Sequence, residues 1–285
     1  MTLKGKLYIV ATPIGNIDDI TLRAVKTLEN ADFIAAEDTR RTARLLSYYN
    51  INTKLVSCHE HNEAQKAEEL IKKMENGKSA ALVSDAGTPL VSDPGYRLIQ
   101  AALEKNIQVV PIPGVSAAIT ALSASGMPTD SFTFIGFPQK KSGKRHSQLE
   151  DLKNISHTLI FYKSPRRIIN FIEDIIKIMG DRYGVVAREM TKMYEEFIRG
   201  NLSEILEILK KRDLIKGECT LLVSGSKNNE NISPELLTAE IEKALIIENR
   251  KISELSKTIS KKFSLSKNIV YEQALNIQNK RKENG

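Results

Sequence analysis

Val83-Ser84-Asp85-Ala86-Gly87-Thr88-Pro89-Leu90-Val91-Ser92-Asp93-Pro94-Gly95 follows directly on the apolar run that begins at Ala80. Its small residues let a ligand approach the backbone, its hydroxyls and carboxylates can hydrogen-bond a sugar or an amino-acid moiety, and Pro89 and Pro94 stiffen it. A simple connection needs none of this, so the stretch reads as a ligand loop at the end of a strand. Outward from it, short apolar strands are predicted at Leu7 to Ala11, Phe33 to Ala36, Ala80 to Val83 and Gln108 to Pro111, with helical patterns between them. That rhythm predicts an α/β fold with a parallel sheet covered on both faces. Gly77 is placed as the C-cap of a helix over Glu63 to Asn76, and Asp93 before Pro94 as the N-cap of the next helix.

Two further loops follow strands of the same sheet. Val10-Ala11-Thr12-Pro13-Ile14-Gly15-Asn16 leaves the first, and Pro111-Ile112-Pro113-Gly114-Val115-Ser116-Ala117-Ala118 leaves another and opens a helix whose N–H groups point into the same crevice. Together they predict a composite pocket. Neither G-x-G-x-x-G nor a P-loop occurs, which argues against a nicotinamide enzyme or an NTPase.

The rhythm breaks near Ser125 to Thr129, and a second set of strands is predicted at Phe132 to Phe137, Thr158 to Tyr162, Tyr183 to Arg188 and Thr220 to Ser224, with a helix over Pro165 to Met179. The predicted organisation is a first α/β domain over 1–125, a second over 126–228 and a helical module over 229–285. Ser226 to Ile232 reads as a polar linker. In the module, Ile252, Leu255, Ile259 and Phe263 precede a break at Ser264 to Ser266 and a second amphipathic helix with Ile269, Val270, Ala274 and Leu275, which resembles a helix-turn-helix.

The 285 residues carry 42 Lys and Arg against 35 Asp and Glu, a formal charge of +7, and 41% are apolar. A surplus of this size favours a polyanionic partner, and eight of the cations fall between Gln139 and Arg167. No apolar run is long enough for a membrane span and the first residues lack a signal-peptide pattern, so a cytoplasmic protein is expected. Cys58 and Cys219 lie far apart and read as ordinary thiols. His59 and His61 lack the spacing of a metal pair, and no metal is expected.

VATPIGNIDDIT, AEDTRRT, SDAGTPLVSDPG, PIPGVSA, FIGFPQKKSGKR, FYKSPRR, REMTKMYEEFIRG and GECTLLV occur in this order along nearly the whole chain. Together they resemble the ribosomal RNA small-subunit methyltransferase I family, the cytidine 2′-O-methyltransferases of the tetrapyrrole-methylase superfamily. The resemblance implies an S-adenosylmethionine crevice between two α/β domains and a homodimer. It also implies methyl transfer to a cytidine ribose of 16S ribosomal RNA near the decoding centre of the small subunit. By motif it assigns cofactor contacts to Pro13, Gly87, Thr88, Val91, Ser116 and Ala117, closed over by Tyr162, Ala187 and Thr220. FYKSPRR departs from the family pattern at Lys163 and Arg166.

A ribose hydroxyl is weakly acidic, so a base or an alkoxide-stabilising cation is needed near it. Three polar clusters offer candidates. Glu189 or Lys192 is the proton acceptor or alkoxide stabiliser, with His61 a further possible base. Asp38, Arg40, Arg41, Asn62 and Arg188 are placed on the substrate side, Asp38 also suiting a helix cap. The stretch from Lys140 through Lys141 to Arg145 is expected to be a mobile phosphate-binding loop, joined by Arg166. Phe137, Tyr162 and Tyr183 could stack on a base but sit in strand patterns that suit a core. Two other functions fit parts of the pattern: a small-molecule methylase acting on a tetrapyrrole, and a ligand-sensing nucleic-acid-binding regulator.

Overall fold

The computed structural model describes residues 4–59, 62–226, 234–246, 251–263, 265 and 267–283. The first sheet holds β1 (Lys6–Val10), β2 (Phe33–Ala36), β3 (Leu55–Ser57), β4 (Ala80–Val83) and β5 (Gln108–Ile112). Its order is β3-β2-β4-β1-β5 and every pairing is parallel. Around it run α1 (Leu22–Asn30), α2 (Thr39–Tyr48), α3 (Glu63–Glu75) and α4 (Tyr96–Glu104). β2 and β4 are buried at every residue, which is why FIAA and AALV are continuous apolar runs. Alternate side chains serve opposite faces. Leu7, Phe33, Ala35, Ala80 and Leu82 join one core with α3 and α4, while Val10, Ile34, Ala36, Ala81 and Val83 join the other with α1 and α2.

The second sheet, ordered β6-β7-β10-β8-β9, comprises β6 (Phe132–Gly136), β7 (Thr158–Lys163), β8 (Tyr183–Arg188), β9 (Glu196–Asn201) and β10 (Cys219–Val223). Only β6 and β7 pair in parallel; the rest is antiparallel. Beside it lie α6 (Ser142–Leu152), α7 (Ile168–Met179) and α8 (Leu202–Lys210). α5 (Ala117–Ser125) leaves the first sheet and packs Ala118, Ala121 and Leu122 against Ile160, Val185 and Leu222 of the second. That shared helix makes one compact unit of both sheets, 4–149 with 158–224.

A second unit combines residues 150–157 with the described residues from 225 onward. Its helices α9 (Pro234–Ile246), α10 (Ile252–Phe263) and α11 (Lys267–Glu283) bury Leu237, Ile241, Leu255, Ile259, Val270 and Ala274 among themselves. The expected break residues Ser264 and Ser266, and the linker beyond Ser226, lie outside the described residues.

Two strands escaped the pattern reading. β3 has only three residues, and β9 has a charged residue at each end of Phe197-Ile198. Asp93 does not cap a helix: α4 begins at Tyr96 after Gly95, whose φ is +124°. The capping acceptor comes instead from α3, where the buried Glu63 carboxylate accepts from the Arg97 amide at 2.6 Å and the Leu98 amide at 3.3 Å. Glu63→Ala leaves these donors unsatisfied and is expected to lower stability by about 1–3 kcal/mol, read by urea unfolding. A change within experimental error would contradict this capping role.

Candidate functional site

Three loops meet at the carboxyl ends of β1, β4 and β5, where the strand order of the first sheet reverses and open α/β sheets place their ligands. They are tied to one another by backbone. Thr12 and Gly87 exchange both N–H···O bonds at 2.9 Å, Thr12 Oγ1 donates to the Ser84 carbonyl at 3.2 Å, and Thr88 Oγ1 donates to the Val115 carbonyl at 3.0 Å. Gly87 has φ +84°, a backbone conformation that a side chain rarely adopts. Leu90 and Ser92 are also left-handed, at +73° and +72°, a conformation that costs non-glycine residues energy and is held here by the surrounding loops.

The loops form one wall of a cavity of about 420 Å³ within the two-sheet unit. Ile14, Asp85, Gly87, Thr88, Val91, Asp93, Ser116 and Ala117 line that wall; Phe137, Tyr162, Lys163, Met190, Glu218, Cys219 and Thr220 line the other. Seven of the nine expected cofactor contacts are therefore in the lining. Pro13 faces an adjoining cavity instead. Ala187 pairs with Thr220 across the ladder and is fully buried in the apolar cluster beneath.

Charge divides the cavity. Asp93 is pushed up to about 6 by burial and by Glu37, whose own carboxyl is raised by burial and by Asp85. Asp85 accepts the Asp38 amide at 3.0 Å and pairs with Arg41 at 3.4 Å. On the far wall, burial and the guanidinium groups of Arg145 and Arg167 bring Lys163 down to about 8, and its ammonium lies 4.3 Å from the centre of the Phe171 ring. The Tyr162 hydroxyl accepts from the Ala118 amide at 3.2 Å, at the start of α5. Burial raises the thiols of Cys58 and Cys219 to about 11, which keeps both inert.

The adjoining cavity, about 320 Å³, is lined by Thr12 to Gly15, Arg41, Arg44, Ser84 to Ala86, Lys192 and Glu218. Lys192 Nζ lies 2.9 Å from Glu189 Oε1 and 3.1 Å from Glu218 Oε2, and Glu189 Oε1 also accepts the Glu218 amide at 3.0 Å. Burial opposes a charge on Lys192, but the hydrogen bonds to both carboxylates prevail and raise its pKa; the bond from Lys192 lowers that of Glu189. The pair is held ionised. Lys192 faces the cavity, while Glu189, with φ +50°, stands behind it in neither lining. Gly217 accommodates that carboxylate, since an added Cβ would overlap it. The Asn16 amide donates to Thr191 Oγ1 at 2.9 Å, joining the first loop to the one after β8.

The expected substrate residues divide. Asp38 caps α2, accepting the Arg40 amide at 2.9 Å, and its carboxyl is held well below the usual range by Arg40. Arg40, Lys140, Lys141 and Arg166 are exposed, and Arg41 lines both cavities. Arg145 is committed to Asp174 at 2.6 Å, on α6 where a loop was expected. Arg188 is bound to Glu196, which Arg212 also holds, and Asn62 closes a turn by accepting the His59 amide at 2.8 Å. His61 lies outside the described residues. Phe137 is 62% exposed rather than core, with its ring 5.6 Å from that of Tyr162. Glu218 and Met190 stand inside motifs of the sequence but drew no role there, since one precedes β10 and the other follows β8, and Arg44 sits on an ordinary polar face of α2.

Comparison with known proteins agrees with this architecture. Residues 6–206 match the model of the Tetrapyrrole (Corrin/Porphyrin) Methylases. The chain is 51% identical to Ribosomal RNA small subunit methyltransferase I of Halalkalibacterium halodurans over 81% of this chain and 79% of that one. It is 44% identical to the Haemophilus influenzae protein of the same name over 95% and 96%. Among solved structures it resembles cobalt precorrin-4 methyltransferase, with TM-score 0.59, 18% identity and coverage of 77% and 94%. It also resembles uroporphyrin-III C-methyltransferase from Thermus thermophilus complexed with S-adenosyl homocysteine, with TM-score 0.55, 18% identity and coverage of 76% and 97%. This chain belongs to the tetrapyrrole methylases and, within them, to the ribosomal RNA small subunit methyltransferase I family.

Proposed function

We propose that the chain transfers the methyl group of S-adenosylmethionine to the ribose 2′-hydroxyl of a cytidine in 16S ribosomal RNA, near the decoding centre, acting as a cytoplasmic homodimer on the small subunit. The observation that carries the RNA reading is the extent of the likeness to the two proteins named above. The Halalkalibacterium and Haemophilus relatives are 51% and 44% identical to this chain, whereas the two tetrapyrrole enzymes are 18% identical to it.

The larger cavity fits the cofactor. Its carboxylates Asp85 and Asp93 suit a cationic ligand with sugar hydroxyls, the α5 amides beside Ser116 and Ala117 suit a carboxylate, and Tyr162, Met190 and Ile14 offer flat apolar contact. Once bound, S-adenosylmethionine supplies a methyl group on a positively charged sulfur. The chain's own work is to hold the acceptor oxygen in line, where orientation supplies much of the rate. Lys192 remains a cation and stabilises the negative charge that builds on the oxygen as its proton passes to solvent; Glu189 and Glu218 fix where that cation sits. Arg40, Arg41, Lys140, Lys141 and Arg166 offer positive charge to the RNA backbone.

Labelled S-adenosylmethionine should pass its methyl to small ribosomal subunits lacking modifications and not to a uroporphyrinogen-type tetrapyrrole. The reverse preference would replace this reading with a small-molecule methylase.

A further inference from the structure

We propose that Arg41 couples the two cavities by exchange of partners: a positively charged ligand in the larger cavity takes Asp85 from Arg41, and the guanidinium freed in this way binds the phosphate backbone of the RNA. The inference rests on the methyl-transfer reading above and adds to it a link between the charge of the cofactor and the hold on RNA.

Asp85 divides its two oxygens between different tasks. Oδ1 accepts the Asp38 amide at 3.0 Å, just ahead of α2, while Oδ2 meets Arg41 Nη1 at 3.4 Å. The second contact is longer than a strong charge-assisted bond, and the Arg41 side chain is 60% exposed. Such a pair contributes little, so a competing cation displaces it at small cost. The exchange leaves the backbone in place, because α2 is capped by the Asp38 carboxylate and not by the Arg41 side chain.

Position and charge give the exchange its consequence. Arg41 and Asp85 both line the two cavities. On the larger side Asp85 stands with Asp93 and Glu37, whose carboxyls are raised by burial and by their negative neighbours, so a positive ligand there relieves a crowded set of carboxylates. Around the adjoining cavity Arg41, Arg44 and Lys192 are matched by Asp85, Glu189 and Glu218. A polyanion meets no surplus of positive charge on that side while Arg41 stays on Asp85. It gains a cation only when Asp85 is neutralised from the other side.

Methyl transfer then reverses the exchange. The sulfur–carbon bond breaks, the oxygen–carbon bond forms, the hydroxyl proton passes to solvent, and the sulfur is left neutral. Asp85 loses its cationic partner and recovers Arg41, and the hold on the methylated RNA weakens. Arg41 is thus a positioning residue that reports the charge in one cavity to the ligand of the other.

The test uses the full chain, small ribosomal subunits lacking modifications, and two cofactor analogues of similar shape that transfer no methyl. Sinefungin carries an ammonium group where the methylated sulfur stands; S-adenosylhomocysteine has a neutral sulfur. Subunit affinity is read by filter binding at fixed salt, and analogue affinity without subunits by calorimetry. Sinefungin is expected to tighten subunit binding about fivefold and S-adenosylhomocysteine to leave it within about twofold. Arg41→Ala should abolish that difference and should bind sinefungin at least as tightly as the wild type does, because Asp85 has lost its competitor. Arg41→Lys should restore part of the difference. Equal subunit binding with the two analogues, an undiminished difference in Arg41→Ala, or a parallel loss of affinity for both analogues in that variant would each overturn the exchange. Arg41-dependent tightening by sinefungin in a chain that transfers no methyl to RNA would keep the exchange and remove the function. Equal binding with both analogues by a chain that methylates its RNA would do the opposite.

Discussion

Asn in place of Asp93 is expected to raise the melting temperature at neutral pH and to weaken S-adenosylmethionine binding by about tenfold or more. The two effects have one cause. Asp93 is raised to about 6 by burial and by Glu37, so the native state binds its proton more tightly than the unfolded chain does. Folding therefore takes up a proton between the ordinary aspartate value and about 6. Over that interval the Asp93 contribution to stability falls as pH rises, and above it the cost is constant. Removing the charge recovers about 1–2 kcal/mol after allowance for partial exposure. The same substitution deletes a negative charge from the wall that is to face a cationic ligand. Thermal melts between pH 4 and 8 with calorimetric titration check both halves. A variant that binds the cofactor normally, or melts lower at neutral pH, would show that Asp93 is not the strained counter-charge. Wild-type cofactor binding should likewise weaken as pH falls through about 6.

Lys192→Met is expected to lower kcat for RNA methylation by about 10²–10³ while cofactor affinity stays within about twofold. The ammonium lies in the adjoining cavity and is held by Glu189 and Glu218, so its loss removes a cation prepositioned for developing negative charge. It also takes the ammonium from Glu189, which keeps the Glu218 amide, and from the largely exposed Glu218, which should cost about 1 kcal/mol of stability. The double variant Glu189→Gln, Lys192→Met relieves part of that cost and separates folding from catalysis. If the double variant is stable and turns over as fast as the wild type, Lys192 has no part in the reaction. The pair is locked as an ion pair, so no titration of Glu189 should appear in the rate profile near neutral pH.

Much of this was legible in the sequence because the physics is local. Ala80–Val83 is buried at all four residues, and a fully buried strand must be a continuous apolar run. The loop from Ser84 to Gly95 was readable because several of its backbone angles and close contacts demand small residues. Where the sequence misled, the cause lay in tertiary contacts. Asp93-Pro94 has the composition of a helix start, but Glu63, thirty residues upstream, supplies the cap of α4 and leaves Asp93 in the cavity wall. Arg145 and Arg188 count as positive charge in the sequence, and only the fold brings Asp174 and Glu196 to neutralise them. Glu189 and Lys192 stood as alternatives until the turn after β8 put one at the cavity and the other behind it.

The most direct test of the central claim maps the product. Small ribosomal subunits lacking modifications are incubated with the chain and labelled S-adenosylmethionine, and the RNA is digested and analysed by mass spectrometry. The account predicts a single methyl on the ribose of a cytidine near the decoding centre. A methyl on a base, on another nucleoside, or no transfer despite demonstrable cofactor binding would contradict it.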